Sequence, residues 1–206
     1  MAVKAQSAVT AEDLNYTRTI NQRAQKIVVT LGIPDSAAAL RVQAIIADQY
    51  RRLNHIYNDR DAQVKAVKAD TLLDKATATA KLKAADSATM ARTAKLHGEY
   101  LAKLAKELSP AQVDQVKDGM TYNVLQVTYK AYQDELPNLT DAQKAQLLAW
   151  LTEAREYAMD AESSEKKHAW FGKYKGRINN YLSTAGIDMK KAAEDWEKRR
   201  KTASGG

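Results

Sequence analysis

Apolar residues along this chain recur every three or four positions over long stretches, separated by only a few short breaks. That spacing predicts amphipathic helices. A first helix is expected from about Ala11 to Leu31, with Ile20, Ala24, Ile27, Val28 and Leu31 as its inner stripe. Gly32-Ile33-Pro34-Asp35 ends it and caps the next. A second helix starts near Ser36, where Val42, Ile46, Leu53, Ile56, Val64 and Val67 follow a near-heptad spacing interrupted by Gln49 and Arg60. The Ala-, Lys- and Thr-rich stretch from Ala69 to Ala85 reads as an exposed helical extension. Met90, Ala94, His97, Leu101, Leu104 and Leu108 then form a seam, so an antiparallel hairpin is expected with Asp86-Ser87 near its tip. Residues 119–135 read as a loop followed by a short helix, with a strand over Val124–Tyr129 as the alternative. A helix from Asp141 to Ala161 should bury Leu147, Leu151, Ala154 and Ala158. Glu162-Ser163-Ser164 breaks it before a basic helix over Lys166–Leu182. A last helix follows Gly186, capped by Asp188, with Met189, Ala192, Ala193 and Trp196 inward.

Three helix starts share one design. Thr10 with Asp13, Ser109 with Gln112, and Thr140 with Gln143 each set a capping hydroxyl three residues before a side chain that can reach back to the cap. Pro110 occupies a first helical position. With only 8 Gly and 3 Pro in 206 residues, few turns are available and the helices must be long. The expected fold is therefore all-α: a single-domain bundle of six or seven helices over residues 10–200, with a long projecting helical hairpin and flexible tails at 1–9 and 201–206. One Phe against ten Tyr leaves the core to Leu, Ile, Val and Ala.

Absence of cysteine excludes disulfides and thiolate chemistry. No apolar stretch reaches membrane-spanning length. The start, MAVKAQSAV, fits a mature secreted N-terminus with a Met added, or a plain cytosolic start. A net charge of +7 permits an anionic partner, although the 25 acidic residues scattered among the basic ones argue against a specific nucleic acid. The KRRK run at 198–201 reads as a solvated helix end.

Candidate chemistry concentrates in Lys166–Leu182, KKHAWFGKYKGRINNYL, which has no acidic residue. Cations among rings and amides suit an anionic or polyhydroxyl ligand: charge attracts, a ring offers a flat face, and amides direct hydrogen bonds. Trp170, Tyr174, Ile178 and Tyr181 fall on one helix face, which is either a core stripe or a surface. Gly172 and Gly176 share another face, where they would admit a close neighbouring helix or leave a hollow. A second polar stretch, Asp48–Asp61, carries Tyr50, Asn54 and His55. Its charges fit intrahelical pairs or a groove facing the basic helix. The candidate ligand surface thus joins Tyr50, Asn54 and His55 to Trp170, Lys173, Tyr174, Arg177 and Asn180. His55 and Asp59 have a spacing that can share a cation, but HExxH is absent and no metal is expected. His97 reads as a core histidine. No P-loop, GxGxxG or GxSxG occurs, so no cofactor is expected. Glu153, Glu156, Asp160 and Glu162 crowd one helix and would support glycoside hydrolysis only if two of them faced each other across a cleft.

Two resemblances bear on function. Leu139-Thr140-Asp141-Ala142-Gln143 and the near-match Leu108-Ser109-Pro110-Ala111-Gln112 resemble the LTxxQ pentapeptides of Spy-like periplasmic chaperones, though helix capping explains both. The broader resemblance is to an uncharacterised family of secreted bacterial proteins, a domain of unknown function. Asp48–Tyr50, Lys117–Tyr122, Thr128–Tyr132, Ala154–Asp160 and His168–Leu182 carry it. It implies export past the inner membrane and an association with polysaccharide use. It transfers no catalytic residue. The expected function is a non-catalytic exported module that binds an extended polyhydroxyl or acidic ligand such as a polysaccharide or oligosaccharide. The alternatives are a polysaccharide-active enzyme and a periplasmic chaperone or scaffold.

Overall fold

The computed structural model describes residues 10–204. These residues form eight α-helices and no strand: α1 (Ala11–Thr30), α2 (Ser36–Ala69), α3 (Lys75–Leu104), α4 (Pro110–Met120), α5 (Val124–Glu135), α6 (Asp141–Met159), α7 (Ser164–Thr184) and α8 (Met189–Ser204). The all-α expectation holds. The strand alternative over Val124–Tyr129 is overturned, because α5 occupies that segment and its apolar residues Leu125 and Tyr132 are buried at helical spacing. The expected N-terminal tail, 1–9, lies outside the described residues, whereas helix α8 runs on through Ser204. By contacts the chain divides into two compact units, Met1–Val116 and Lys117–Gly206.

The first unit is built on α2, which packs along both α1 and α3. Thr10 and Asp13 make the expected capping box at the start of α1. Helix α1 buries Ile20, Ala24, Ile27 and Val28 as its stripe requires. Leu53, Ile56 and Leu96 form a buried cluster joining α2 to α3, and Gln49 is buried with them along α2. Ion pairs cross from α2 to α3 at Asp48–Lys103, Arg52–Glu99, Asp59–Arg92 and Arg60–Asp86. They are largely solvent-exposed and worth little energetically, and their order along the two helices follows the antiparallel register.

Two expectations for this hairpin fail. Its tip lies at residues 70–74, not at Asp86-Ser87. Asp70 takes the amide of Leu72 at 3.1 Å, and Asp74 takes that of Thr77 at 2.9 Å, so two aspartates stop one helix and cap the next. Asp86 and Ser87 sit inside α3. The seam of α3 is Ala85, Thr89, Leu96, Tyr100 and Leu104, while Met90 is 72% exposed and Ala94 is exposed. Small residues at 85 and 89 face inward there, and Thr89 satisfies its hydroxyl on the Ala85 carbonyl at 2.9 Å. Between 75 and 84 no residue is buried, in keeping with an exposed extension.

The second unit packs α6 against α7, with α5 and α8 alongside. Its core unites Leu125, Tyr132, Leu147, Leu151, Ala154, Phe171, Ile178 and Leu182. Thr140 and Gln143 cap α6 reciprocally. At its far end Lys167, itself buried, donates to the carbonyls of Ala158 and Met159 at 3.0 and 2.8 Å. A cation there meets carbonyls at the C-terminal end of α6, where that of Ala158 also accepts the Ala161 amide at 3.1 Å. In α8, Met189, Ala192 and Trp196 are half-buried, whereas Ala193 is exposed, contrary to its expected inward position.

Candidate functional site

Helix α7 divides its residues between core and edge. Lys167, Phe171, Tyr174, Ile178 and Leu182 are buried. Trp170 and Tyr181 are half-buried, and Lys173, Arg177 and Asn180 are exposed. The helical step explains this split, since 167, 171, 174, 178 and 182 form one stripe and 170, 173, 177 and 181 form its flank. The flank meets the corresponding flank of α6, where Trp150, Glu153 and Tyr157 lie beside the buried Leu151–Ala154–Ala158 stripe.

The two flanks pair in antiparallel order. Tyr157 stacks on Trp170 with ring centres 4.6 Å apart and planes 17° from parallel. Lys173 places its ammonium 5.0 Å from the Trp170 ring centre. Arg177 lies 4.4 Å over the Trp150 ring and 3.7 Å from the Glu153 carboxylate. Trp150 in turn meets Tyr181 edge to face at 5.3 Å. Four rings and two cations therefore run in one row. Tyr157 and Trp150 are seven residues apart, or roughly 10 Å along the helix axis.

Tyr174 does not join this row as a ligand-facing group. It is 6% exposed, and burial together with a hydrogen bond to Glu153 pushes its phenol up to about 12. Its position in the core stripe accounts for the correction. Asn180 is exposed one turn beyond Arg177, and its backbone carbonyl accepts from Thr184 at 2.9 Å. The remaining expected site residues belong to the first unit. Asn54 and His55 are exposed on α2 and line a groove described below. Tyr50 instead lends its carbonyl to the Tyr16 hydroxyl at 2.9 Å, tying α1 to α2.

Glycines 172 and 176 do not admit a neighbouring helix. A Cβ at either position would meet nothing within 4 Å, so no helix packs closely there. The crowded carboxylates of α6 also diverge. Glu153 turns to Arg177, while Glu156 is held by Lys117 at 3.0 Å. They do not face one another across a cleft. Asp59 is engaged by Arg92 at 2.7 Å, with His55 3.7 Å away. Among the described residues no three His, Cys, Asp or Glu side chains gather as a metal site.

A second recess in this unit, of about 340 Å³, is lined by Tyr132, Glu135, Lys175 and Asn179. Tyr132 donates to the Asn179 side-chain oxygen at 2.7 Å. Burial pushes the Tyr132 phenol up to about 12 and raises the Glu135 carboxyl.

Sequence reasoning missed Trp150 and Tyr157 as partners of the basic helix. Their signal was present: aromatic residues at i and i+7 on α6, off its buried stripe.

The second unit thus presents a helical pair with a row of rings and cations along one edge. The chain belongs to the family described as "Protein of unknown function (DUF3826)", which matches over residues 17–202. Comparison with curated proteins returns no match. No helix among the described residues is long and apolar enough to cross a membrane.

Proposed function

We propose that the protein is an exported, non-catalytic module that binds an extended acidic polyhydroxyl chain, such as an acidic polysaccharide, along the α6–α7 edge. One observation carries this reading: the ring–cation pairs Lys173–Trp170 and Arg177–Trp150 repeat along a single row, with Tyr157 and Tyr181 extending it. The repeat suits an oligomer rather than one small ring. Carboxylates of the ligand would pair with Lys173 and Arg177, the latter in competition with Glu153. Sugar faces would lie against the exposed sides of Tyr157 and Trp170. Both cations reach the row on flexible side chains, so each can turn from its ring to a ligand oxygen without disturbing the core.

Affinity electrophoresis through gels containing polygalacturonate, with neutral arabinan as the control, tests this. The parent should be retarded by the acidic polymer, and the Tyr157→Ala, Trp170→Ala double variant should migrate freely. Free migration of the parent in the acidic gel, or equal retardation of the variant, would remove the proposal. Circular dichroism of the variant checks that the helices persist.

A further inference from the structure

Within the first unit, α1 and α3 both lie along α2 and leave a groove between them of about 820 Å³. Its floor includes Ile56 and Leu96, both buried. Its walls carry four cations, Arg51, Arg52, Arg92 and Lys95, against two carboxylates, Asp13 and Glu99.

The carboxylates are already committed. Asp13 accepts from the Thr10 amide at 3.0 Å and from the Thr10 hydroxyl at 2.8 Å, which closes the cap of α1. Those bonds hold its carboxyl below the usual range. Glu99 takes Arg52 at 2.8 Å, and Asp59 takes Arg92. Arg51 and Lys95 remain. Among the described residues neither has an ion-pair partner, and both are exposed into solvent around the groove. Asp13 stays anionic through those bonds, so the four cations exceed Asp13, Glu99 and the Arg92 partner Asp59 by one, above a partly apolar floor. Asn54, Asn58 and His55 add polar groups from α2 at the same place.

We propose that this groove is a binding site for a small, multiply charged anion, held between Arg51 on α2 and Lys95 on α3. The relevant chemistry is two or more carboxylate or phosphate groups on one molecule. A single charge would engage one cation only, and a neutral sugar would leave both unmatched. Arg51 supplies a planar fork that suits a carboxylate or a phosphate, and Lys95 a point charge. Arg52 and Arg92 are set beside them by Glu99 and Asp59, which offset their charge, so they offer N–H donors rather than further net charge. The amides of Asn54 and Asn58 would bond to oxygens between the charged groups. This site belongs to the first unit and uses no residue of the ring row, so either proposal can fail alone.

Isothermal calorimetry on the whole chain tests it, with tripolyphosphate, trigalacturonate and neutral maltotriose as probes. At least one of the two anions should bind, and maltotriose should not. Its affinity should fall as salt rises from about 50 to about 200 mM, as screening requires. Arg51→Ala with Lys95→Ala should weaken that affinity by about tenfold or more, the loss expected when charge-assisted hydrogen bonds are removed. Both side chains are exposed, so the urea midpoint should not change. Binding of tripolyphosphate alone marks a phosphate ligand, and binding of trigalacturonate alone marks a sugar acid. Binding of both marks recognition by charge. Failure of both anions to exceed maltotriose would overturn the proposal. So would unchanged anion affinity in the double variant. All arms are run in the Tyr157→Ala, Trp170→Ala background, in which the ring row no longer takes a sugar acid, so any remaining binding reports the groove.

Discussion

The guanidinium of Arg155 meets the carboxylate of Asp118 at 2.8 Å, with 6% and 13% of the two side chains exposed. The pair joins the end of α4 to the last turns of α6. Asp118 also accepts from the Gln126 amide at 3.1 Å, and its backbone carbonyl receives the amides of Thr121 and Asn123. One residue therefore anchors α6, α5 and the turn between α4 and α5. Arg155 further approaches Glu156 at 3.5 Å, which is held by Lys117. The segments around 117–122 and 154–160, both read from sequence as family-bearing, are in contact through this cluster.

Asp118→Ala should therefore be severely destabilising. Removing one partner of a buried pair costs about 3–5 kcal/mol, and here it would leave Arg155 with only the longer approach of Glu156, which Lys117 already holds. Replacing both, as Asp118→Leu with Arg155→Met, should cost clearly less than the sum of the single changes. Urea unfolding of the single and double variants measures the difference. Additive losses would show that the two side chains do not depend on each other.

Tyr122 and Asn123 both adopt left-handed backbone, at φ 57° and 58°. Such a conformation costs an ordinary L-residue about 1–2 kcal/mol, and asparagine tolerates it best. The turn holds Tyr122 on the surface, where its ring stacks on His168 with centres 5.5 Å apart. Asn123→Ala should lower stability by about 1 kcal/mol, whereas Asn123→Gly should be neutral or better by a few tenths. Thermal melts of the two variants should move apart. Equal melting temperatures would contradict the left-handed turn.

Alkaline pH should loosen the second unit through two phenols. Burial, with a smaller contribution from Glu135, pushes Tyr132 up to about 12. Burial, with the hydrogen bond to Glu153, pushes Tyr174 to a similar value. The unfolded chain releases these protons near its ordinary value of 10. Their contribution to stability is thus complete below pH 10 and is lost as pH rises toward 12. In an absorbance titration of the ten tyrosines, Tyr132 and Tyr174 should be among the last to ionise. Tyr132→Phe and Tyr174→Phe should each flatten the fall of the urea midpoint across that window. A fall of unchanged steepness in both variants would exclude this cause.

The helices were legible because their stripes and caps are local. Ile20–Val28, Leu147–Ala158 and the Thr10 and Thr140 boxes each declare themselves within one or two turns of chain. The hairpin tip was missed because Asp70 and Asp74 signal by side-chain capping within a run of otherwise good helix formers, and apolar spacing alone passes over them. The α3 seam was misjudged because Thr89 and Tyr100 count as polar in a simple pattern, while packing admits both once their hydroxyls have partners. Lys173 and Arg177 were legible as exposed cations beside rings from charge and spacing. Their ring partner Trp150 and acidic neighbour Glu153 were not, since the pairing depends on the register between two helices. Tyr174 could not be separated from Trp170 by sequence, because one helical step decides which of them faces the core.

Gly172 and Gly176 give the last prediction. Both lie inside α7 and both are exposed, with open space where a Cβ would stand. Glycine in a helix interior is less stable than alanine by about 0.8–1 kcal/mol, chiefly through backbone entropy. No neighbour opposes the added methyl group, so Gly172→Ala and Gly176→Ala should each raise stability by about that amount. The helical turn of about 100° per residue sets Gly172 on the side of α7 away from Trp170 and Arg177, whereas Gly176 neighbours Lys173. Retardation by polygalacturonate should therefore be the same in Gly172→Ala and the parent. A gain in the urea midpoint with unaltered retardation is the expected pair of results. Lost retardation with a gained midpoint would move the ligand face from the α6–α7 edge to the glycine side of the helix.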